Sequence, residues 1–201
     1  MRGIYAILND EERDPIELAR AILDGGVRIV QYRAKRGIVS AHAAELRTLT
    51  RDCNALFLIN DDWRAAETYD ADGVHLGPDD AKVRDLPEIR RALGGRLIGL
   101  SCGTAEEACA AQAAGADYVG AGSVFATSSK SDAGDPIGVE GLRGIAAATA
   151  LPVAAIGGVN EKNLQAVRAT GVAMAAMISA FTSASDPRKA AERLVQMWGT
   201  P

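Results

Sequence analysis

Three polar side chains, those of Gln31, Arg33 and Lys35, lie at the end of an apolar segment at 27–33. If this segment is a strand, alternate residues share one face, so the three side chains lie together and Tyr32 points the other way. An amide beside two cations suits a polyanion, because Arg offers a planar fork of donors and Lys a point charge. The simpler interpretation is a solvated strand end.

Acidic side chains follow the next two apolar segments. Asn60, Asp61 and Asp62 stand at the end of the first segment, and Asp80 belongs to an acidic pair just after the second. One of the first three residues is expected to cap a helix, because Asn and Asp are common N-caps. Carboxylates after adjacent strands can also converge on one cation, and hard oxygen ligands favour Mg²⁺. A basic trio beside such carboxylates indicates a metal-bridged diphosphate.

Hydroxyl groups mark two further positions. Ser101 ends another apolar segment, and residues 123–138 form a long stretch with little helical or strand periodicity. Loops of this length in compact proteins are usually functional or disordered. Thr127, Ser129 and Lys130 place hydroxyl donors beside a cation, which suits a lid that grips phosphate. A mobile Ser-rich loop is the alternative.

Glycines and a serine follow the last two apolar segments. Gly157 and Gly158 would let backbone N–H groups approach an anion, and a helix start predicted at Asn160 would favour that anion. A tight turn is the alternative. Ile178 and Ser179 end the last predicted strand, and the residues after them suit the short extra helix that binds phosphate in many barrels.

The two histidines carry less information. His75 interrupts an apolar strand pattern, so we expect a satisfied imidazole in the core or at a strand end rather than a catalytic base. His42 falls on a predicted helix and is expected to be exposed. No His/Cys cluster has zinc-ligand spacing, and no nucleophile triad can be assembled.

The elements that must position these residues are short apolar segments, each followed by an amphipathic one. Continuous apolar runs favour parallel strands buried on both faces. Asp14 and Asp186, each before a proline, predict helix starts, and Gly25, Gly115 and Gly171 predict helix ends. The predicted strands are residues 3–8, 27–33, 55–60, 73–77, 97–101, 118–122, 152–158 and 174–179.

This alternation predicts a single (β/α)8 TIM barrel, an α/β fold, over residues 1–201. A doubly wound open sheet is the main alternative, but it usually needs only about five or six strands. In a barrel, catalytic side chains lie at the carboxyl ends of the strands and in the loops that follow. The polar residues singled out above fall at those ends.

The composition limits the classes of function that this protein can have. Hydrophobic residues make up 48% of the chain and charged residues 24%, as in soluble globular proteins. The net charge of -4 argues against general nucleic-acid or membrane-surface binding. The three cysteines form no CxxC pair, and no signal-peptide core or membrane span is evident, so we expect reduced thiols and a cytoplasmic protein. The sequence is compatible with an oligomer as well as with a monomer.

The chain resembles the thiamine phosphate synthase family in segments that follow one another over nearly its whole length: QYRAK, INDD, ADGVHLGPDD, GLS, DYVGAGSVFATSSK, AAIGGV and AMIS. The resemblance implies a transferase that couples 4-amino-2-methyl-5-hydroxymethylpyrimidine diphosphate with a thiazole phosphate and releases pyrophosphate. It also implies a dissociative, Mg²⁺-assisted reaction that needs no protein nucleophile.

The resemblance further implies roles for individual residues. The expected metal ligands are Asp61 and Asp80. The expected ligands of the pyrimidine diphosphate and of the pyrophosphate are Gln31, Arg33, Lys35, Asn60, Ser101 and Lys130. The expected ligands of the thiazole phosphate are Thr127, Ser129, Gly158, Ile178 and Ser179. The expected catalytic residues are Arg33, Lys35, Ser101 and Lys130.

Several positions depart from the family's pattern. Ala34 stands where Glu is usual, Pro78 where Gln is common, and Cys102-Gly103 where a His normally follows the serine. The approach to the last strand has Ala173 and lacks the usual Asp. None of these changes removes an expected metal ligand or diphosphate cation.

Two other functions fit the same barrel. A thiazole tautomerase-like isomerase would bind thiazole phosphate without a diphosphate site and would use a His base, which is missing beside Ser101. A non-catalytic barrel could keep its affinity for thiazole phosphate while losing turnover. The transferase is favoured because the cations and the acidic pair are both present.

Overall fold

The chain folds as a closed barrel of eight parallel strands in the order β1 to β8. The computed structural model describes residues 1–11, 13–77, 85–127 and 135–199. The strands are β1 (Gly3–Asn9), β2 (Ile29–Arg33), β3 (Leu56–Asn60), β4 (Gly73–Leu76), β5 (Leu97–Cys102), β6 (Tyr118–Ala121), β7 (Val153–Ala155) and β8 (Met174–Met177). The helices within these ranges are α1 (Pro15–Asp24), α2 (Ser40–Asp52), α3 (Trp63–Thr68), α4 (Leu86–Leu93), α5 (Ala105–Ala113), α6 (Gly138–Ala148), α7 (Leu164–Arg168), α8 (Ser179–Thr182) and α9 (Pro187–Trp198).

The barrel closes where β1 pairs with β8 as well as with β2. This closure confirms the predicted (β/α)8 barrel, an α/β fold, and excludes the open sheet. Two predicted carboxyl ends of strands are wrong by more than one residue. β7 stops at Ala155, because Gly157 and Gly158 have φ values of 93° and 66°, which extended strands do not adopt. β8 stops at Met177, and Ser179 already belongs to α8.

Side-chain caps fix the helix starts that Asp-Pro pairs predicted. The Asp14 carboxylate accepts hydrogen bonds from the backbone N–H groups of Ile16 and Glu17 at 2.8 and 3.0 Å. Asp186 accepts from the N–H of Lys189 at 3.0 Å, and this bond lowers the pKa of Asp186. Both prolines occupy the first turn, where a missing N–H costs nothing.

The core has two parts, one inside the barrel and one between strands and helices. The interior part contains Tyr5, Ile7, Leu58, Tyr118 and Met174 among others, all of them buried. The outer part is larger and packs the opposite strand faces against the helices. No helix of the described residues is both long and apolar enough to cross a membrane.

Two aspartates fasten neighbouring strands at the amino-terminal end of the barrel. Asp72, just before β4, accepts from the N–H of Phe57 and from Arg47, both at 2.8 Å. Asp117, just before β6, accepts from the N–H of Ile98 at 2.7 Å and also from Arg90. Each carboxylate therefore joins a strand start to the strand before it.

The equivalent position before β8 is Ala173. Its backbone N–H donates to the carbonyl of Val153 at 3.0 Å, as the N–H of Asp117 does to the carbonyl of Ile98 at 2.8 Å. A methyl side chain cannot accept the return hydrogen bond. The missing aspartate noted in the sequence is therefore a missing fastener between β7 and β8.

Replacing Asp117 by alanine should lower the free energy of unfolding by about 1–3 kcal/mol, because it leaves the buried N–H of Ile98 without its acceptor. Urea denaturation followed by circular dichroism measures this change. Asp52→Ala, at an exposed position on α2, is the control and should shift stability by less than about 0.5 kcal/mol. Equal effects of the two substitutions would contradict the fastening role.

Candidate functional site

A cleft opens at the carboxyl ends of the strands and reaches into the barrel. It encloses about 370 Å³, part of which is open to solvent. Its lining residues come from or directly follow all eight strands: Tyr5, Ile7, Gln31, Arg33, Asn60, His75, Ser101, Gly120, Ala154, Ile156 and Ala176. Four of the predicted substrate ligands, namely Gln31, Arg33, Asn60 and Ser101, therefore share one cleft.

Arg33 is the last residue of β2 and lines this cleft. Its Nε and Nη1 atoms are buried, and the described residues provide no hydrogen-bond partner for either atom. Buried donors without partners are rare and costly, and more so when the group is charged. An anion in the cleft would satisfy both donors with the forked geometry that phosphate oxygens match.

Lys35 lies differently from Arg33. The strand ends at Arg33, so the alternation that would bring Lys35 onto the same face does not continue. Lys35 is exposed, does not line the cleft, and has its Nζ 3.3 Å from a carboxylate oxygen of Glu11. A diphosphate that binds Lys35 would have to displace the Glu11 carboxylate from the Lys35 ammonium group. The predicted role of Lys35 stays a prediction.

The three polar residues after β3 separate into distinct roles. Asp62 is the N-cap of α3, since its carboxylate accepts from the N–H of Ala65 at 2.9 Å. Asn60 lines the cleft. Asp61 between them has a φ of 66°, a left-handed conformation that Asp tolerates better than most residues. Its backbone N–H donates to the carbonyl of His75 at 2.8 Å, which fixes the turn against β4.

Of the two carboxylates in this turn, that of Asp62 caps α3. Asp61 is exposed at the barrel mouth. An oxygen donor there fits a hard cation such as Mg²⁺. The second expected ligand, Asp80, lies outside the described residues. Within the described ranges, no group of three or more His, Cys, Asp or Glu side chains could hold a metal ion.

His75 and Ser101 contact each other inside the cleft. The Nε2 atom of His75 lies 3.1 Å from the hydroxyl oxygen of Ser101, and its Nδ1 lies 3.1 Å from the hydroxyl of Tyr118. The expectation of a satisfied imidazole is confirmed. The expectation for His42 is wrong, because it is half-buried and its Nδ1 lies 3.4 Å from the Tyr32 hydroxyl.

The loop after β6 and the glycines after β7 form one structure. The N–H of Val124 donates to the carbonyl of Ile156 at 2.8 Å, and the N–H of Phe125 donates to that of Gly157 at 2.9 Å. A Cβ atom at Gly158 would lie 2.7 Å from the carbonyl oxygen of Ala126, so only glycine fits there. Two regions that were predicted separately as phosphate ligands therefore lie together.

Thr127 continues this loop. Residues 128–134, which include Ser129 and Lys130, lie outside the described residues. The described start of that loop carries no helix or strand before α6, as the sequence predicted. The roles of Thr127, Ser129 and Lys130 stay predictions.

The region after β8 differs in part from expectation. Ile178 is buried and packs with the barrel interior, whereas Ser179 is exposed and begins α8. The short extra helix predicted there is present. The helix start predicted at Asn160 is wrong, because α7 begins at Leu164.

Cys102 occupies a position where the sequence departs from the family pattern. Its thiol is buried, and desolvation, together with the nearby Glu107 carboxylate, raises the pKa to about 12. The thiol is therefore protonated at neutral pH and is a poor nucleophile.

Sequence analysis missed two tyrosines of the barrel interior, one of which, Tyr5, also lines the cleft. Tyr5 and Tyr118 are fully buried in the barrel interior and contact each other through their hydroxyl groups at 3.1 Å. The available signal was their position inside apolar strands of a chain with only 4% aromatic residues, since a buried Tyr hydroxyl requires a polar partner. Asp10, directly after β1, was also missed, and its Oδ1 is buried without a hydrogen-bond partner among the described residues.

Comparison with protein families matches residues 4–181 to the family model described as thiamine monophosphate synthase. The chain is 41% identical to the thiamine-phosphate synthase of Caldivirga maquilingensis, over 98% of this chain and 97% of that protein. It is 43% identical to the thiamine-phosphate synthase of Archaeoglobus fulgidus, over 97% and 92% of the two chains. The solved structure of thiamine phosphate pyrophosphorylase from Pyrococcus furiosus has a TM-score of 0.89 with 39% identity, covering 98% of this chain and 95% of that one.

Alkylation of the folded protein with iodoacetamide at pH 8 should modify Cys109 and leave Cys102 unmodified. Cys109 is exposed, whereas the raised pKa and the burial of Cys102 suppress its thiolate. Peptide mass spectrometry with and without urea provides the measurement and its control, because unfolding should make both residues reactive. Equal labelling of Cys102 in the folded protein would contradict its buried, protonated state.

Proposed function

The chain belongs to the thiamine monophosphate synthase family, and on that premise we propose that it couples 4-amino-2-methyl-5-hydroxymethylpyrimidine diphosphate with a thiazole phosphate, 4-methyl-5-(2-phosphoethyl)thiazole. The products are thiamine phosphate and pyrophosphate. The observation that carries this proposal is Arg33, which lines the cleft and has two buried guanidinium nitrogens without a hydrogen-bond partner among the described residues. An anion with paired oxygens, such as a phosphate group, would satisfy both nitrogens.

The diphosphate would lie at the ends of β2 and β3. Arg33 would grip it through Nε and Nη1, and Asn60 lines the same cleft. Gln31 lies one layer deeper, where it would face the pyrimidine, and Ser101 lines the cleft from β5. Lys35 would turn from Glu11 towards the diphosphate, and Lys130 would approach from the loop after β6.

Asp61 and Asp80 would hold Mg²⁺ at the same edge of the cleft. When bound, this ion would neutralise charge on the diphosphate and so make pyrophosphate a better leaving group. The exposed Asp61 carboxylate, fixed by its turn against β4, supports a ligand role. Asp62 is not proposed as a ligand, because its carboxylate caps α3.

The thiazole phosphate would bind where the loops after β6, β7 and β8 meet. The β7 loop approaches the β6 loop closely at Gly158, which brings the proposed ligands of the two loops to one side of the cleft. The remaining proposed ligands of this phosphate are Thr127, Ser129, Ile178 and Ser179.

The reaction proposed for this arrangement is dissociative. The bond between the pyrimidine methylene carbon and the diphosphate oxygen breaks, and its electron pair leaves with the oxygen. Arg33, Lys35 and Lys130 would stabilise the charge that collects on pyrophosphate, which is a preorganised electrostatic effect. The thiazole nitrogen then supplies the electron pair for the new carbon–nitrogen bond, with both substrates held in one cleft.

A cytoplasmic location belongs to the proposal and is supported by three free cysteines.

Purified protein should release pyrophosphate only when both substrates and Mg²⁺ are present. A coupled pyrophosphate assay and chromatographic detection of thiamine phosphate test this directly. The control is the thiazole phosphate alone, which an isomerase would convert and a synthase would not. Full activity after chelation with EDTA would refute the Mg²⁺ assignment, and conversion of the thiazole alone would refute the synthase.

Arg33→Met should lower kcat/KM for the pyrimidine diphosphate by about a hundredfold or more, since one preorganised electrostatic donor contributes about 3 kcal/mol. The apolar stem is retained, so the loss isolates the guanidinium. Steady-state kinetics should show that Arg36→Met, a change at an exposed side chain paired with Glu11 at 3.7 Å, alters kcat/KM by less than about threefold. Similar losses in both variants would argue against a specific grip by Arg33.

A further inference from the structure

A chain of hydrogen bonds runs across the barrel interior at the floor of the cleft. Gln31 Nε2 donates to the Tyr5 hydroxyl oxygen at 2.5 Å, and the hydroxyls of Tyr5 and Tyr118 lie 3.1 Å apart. The Tyr118 hydroxyl lies 3.1 Å from His75 Nδ1, and His75 Nε2 lies 3.1 Å from the Ser101 hydroxyl oxygen. Five strands contribute one residue each, and every member except Tyr118 lines the cleft.

The barrel wall is shaped to hold these rings. A Cβ atom at Gly99 would overlap the Tyr118 ring, and one at Gly120 would lie 2.9 Å from His75 Cε1. The rings of His75 and Tyr118 have centroids 5.4 Å apart, and those of Tyr5 and Tyr118 pack edge to face at 6.3 Å. The rings are thus confined on several sides, and the hydrogen-bond distances follow from this packing.

The direction of the chain follows from its first member. Gln31 donates through Nε2, so the Tyr5 oxygen accepts at that end. Tyr5 then has its hydroxyl hydrogen left for Tyr118, its only other hydrogen-bond partner among the described residues. Tyr118, having accepted, donates to His75 Nδ1. With Nδ1 as acceptor, the neutral ring carries its hydrogen on Nε2 and donates it to the Ser101 oxygen.

We propose that this chain, here called the tyrosine relay (Gln31, Tyr5, Tyr118, His75 and Ser101), fixes His75 as the Nε2–H tautomer. The hydroxyl hydrogen of Ser101 is thereby directed into the cleft as a donor. Tyr5, Tyr118 and His75 are positioning residues that act through Ser101. The inference rests on the proposed function, because the acceptor it implies is an unprotonated ring nitrogen of the aminopyrimidine.

The relay delivers a hydrogen bond and no proton. Burial raises the pKa of Tyr5 and of Tyr118 above the ordinary range of a phenol, so both hydroxyls keep their hydrogens. Gln31, at the far end, has no acidic proton to give. A donor that leaves the pyrimidine neutral also suits the proposed chemistry, because a protonated ring would oppose a developing cation at its methylene carbon.

The tautomer of His75 can be read directly in the protein without substrate. The chain has two histidines, so ¹⁵N-labelled His42→Gln protein leaves a single imidazole, that of His75. Its ring-nitrogen shifts should show protonated Nε2 and unprotonated Nδ1. In Tyr118→Phe this single signature should give way to a mixture of both neutral tautomers. An Nδ1–H tautomer in the parent protein would overturn the proposed direction.

Tyr32→Phe is the matched control for this experiment. Tyr32 also places its hydroxyl near a histidine Nδ1, but on the outer face of the barrel at His42. In protein that retains His42, this change should leave the signals of His75 unaltered. A tautomer change at His75 in Tyr32→Phe would mean that the signature reports general loosening, and the inference would fall.

Kinetics test whether the relay acts through Ser101. Tyr118→Phe and Ser101→Ala should each raise KM for the pyrimidine diphosphate by about tenfold, as loss of one neutral hydrogen bond implies. KM for the thiazole phosphate should stay unchanged, and the double variant should match Ser101→Ala alone. Additive losses would refute a positioning role for Tyr118. If the parent protein made no thiamine phosphate, the proposed function would fall while the tautomer measurement would still decide the relay's direction.

Discussion

The barrel closes where β1 pairs with β8, with Gly3 opposite Met174 and Ala6 opposite Met177, and the arrangement of the site depends on this closure. Because all strands are parallel, closure brings every carboxyl end to one mouth and every inward side chain to one narrow interior. Arg33, Asn60 and Ser101, far apart in sequence, therefore line one cleft. The same closure forces polar groups below the mouth to satisfy one another, since water has little room there.

The interior is accordingly built in two chemical tiers. Near the mouth, Arg33 keeps buried donors without partners among the described residues, which is unfavourable unless an anion arrives. One tier lower, Gln31 and His75 have their hydrogen bonds supplied by two tyrosines. The upper tier has donors left for a ligand, whereas the residues of the lower tier are linked to one another by hydrogen bonds. Affinity and orientation can therefore come from different residues.

Much of the fold could be predicted from the sequence because it is encoded locally. The apolar runs and the Asp-Pro pairs at Asp14 and Asp186 act within a few residues, and both caps formed as expected. The rule that functional side chains lie at the carboxyl ends of barrel strands likewise predicted that Gln31 and Arg33 share one cleft. Contacts between residues distant in the chain could not be predicted this way. The hydroxyl pair of Tyr5 and Tyr118 joins residues 113 positions apart, and Lys35 meets Glu11 only because two loops lie side by side.

Because aspartates precede only some of the strands, the barrel should open locally more easily at some strand pairs than at others. Asp72 and Asp117 tie their strands to the preceding ones, whereas Ala173 supplies no side-chain hydrogen bond between β7 and β8, which have only two residue pairs in register. Local opening follows the regions with the fewest supporting interactions. The barrel therefore has a seam between β7 and β8, and this seam runs up to the loops proposed to hold the thiazole phosphate. A ligand that bridges both loops would stabilise the seam from the outside, so opening of the seam and occupancy of the proposed thiazole-phosphate site would be coupled.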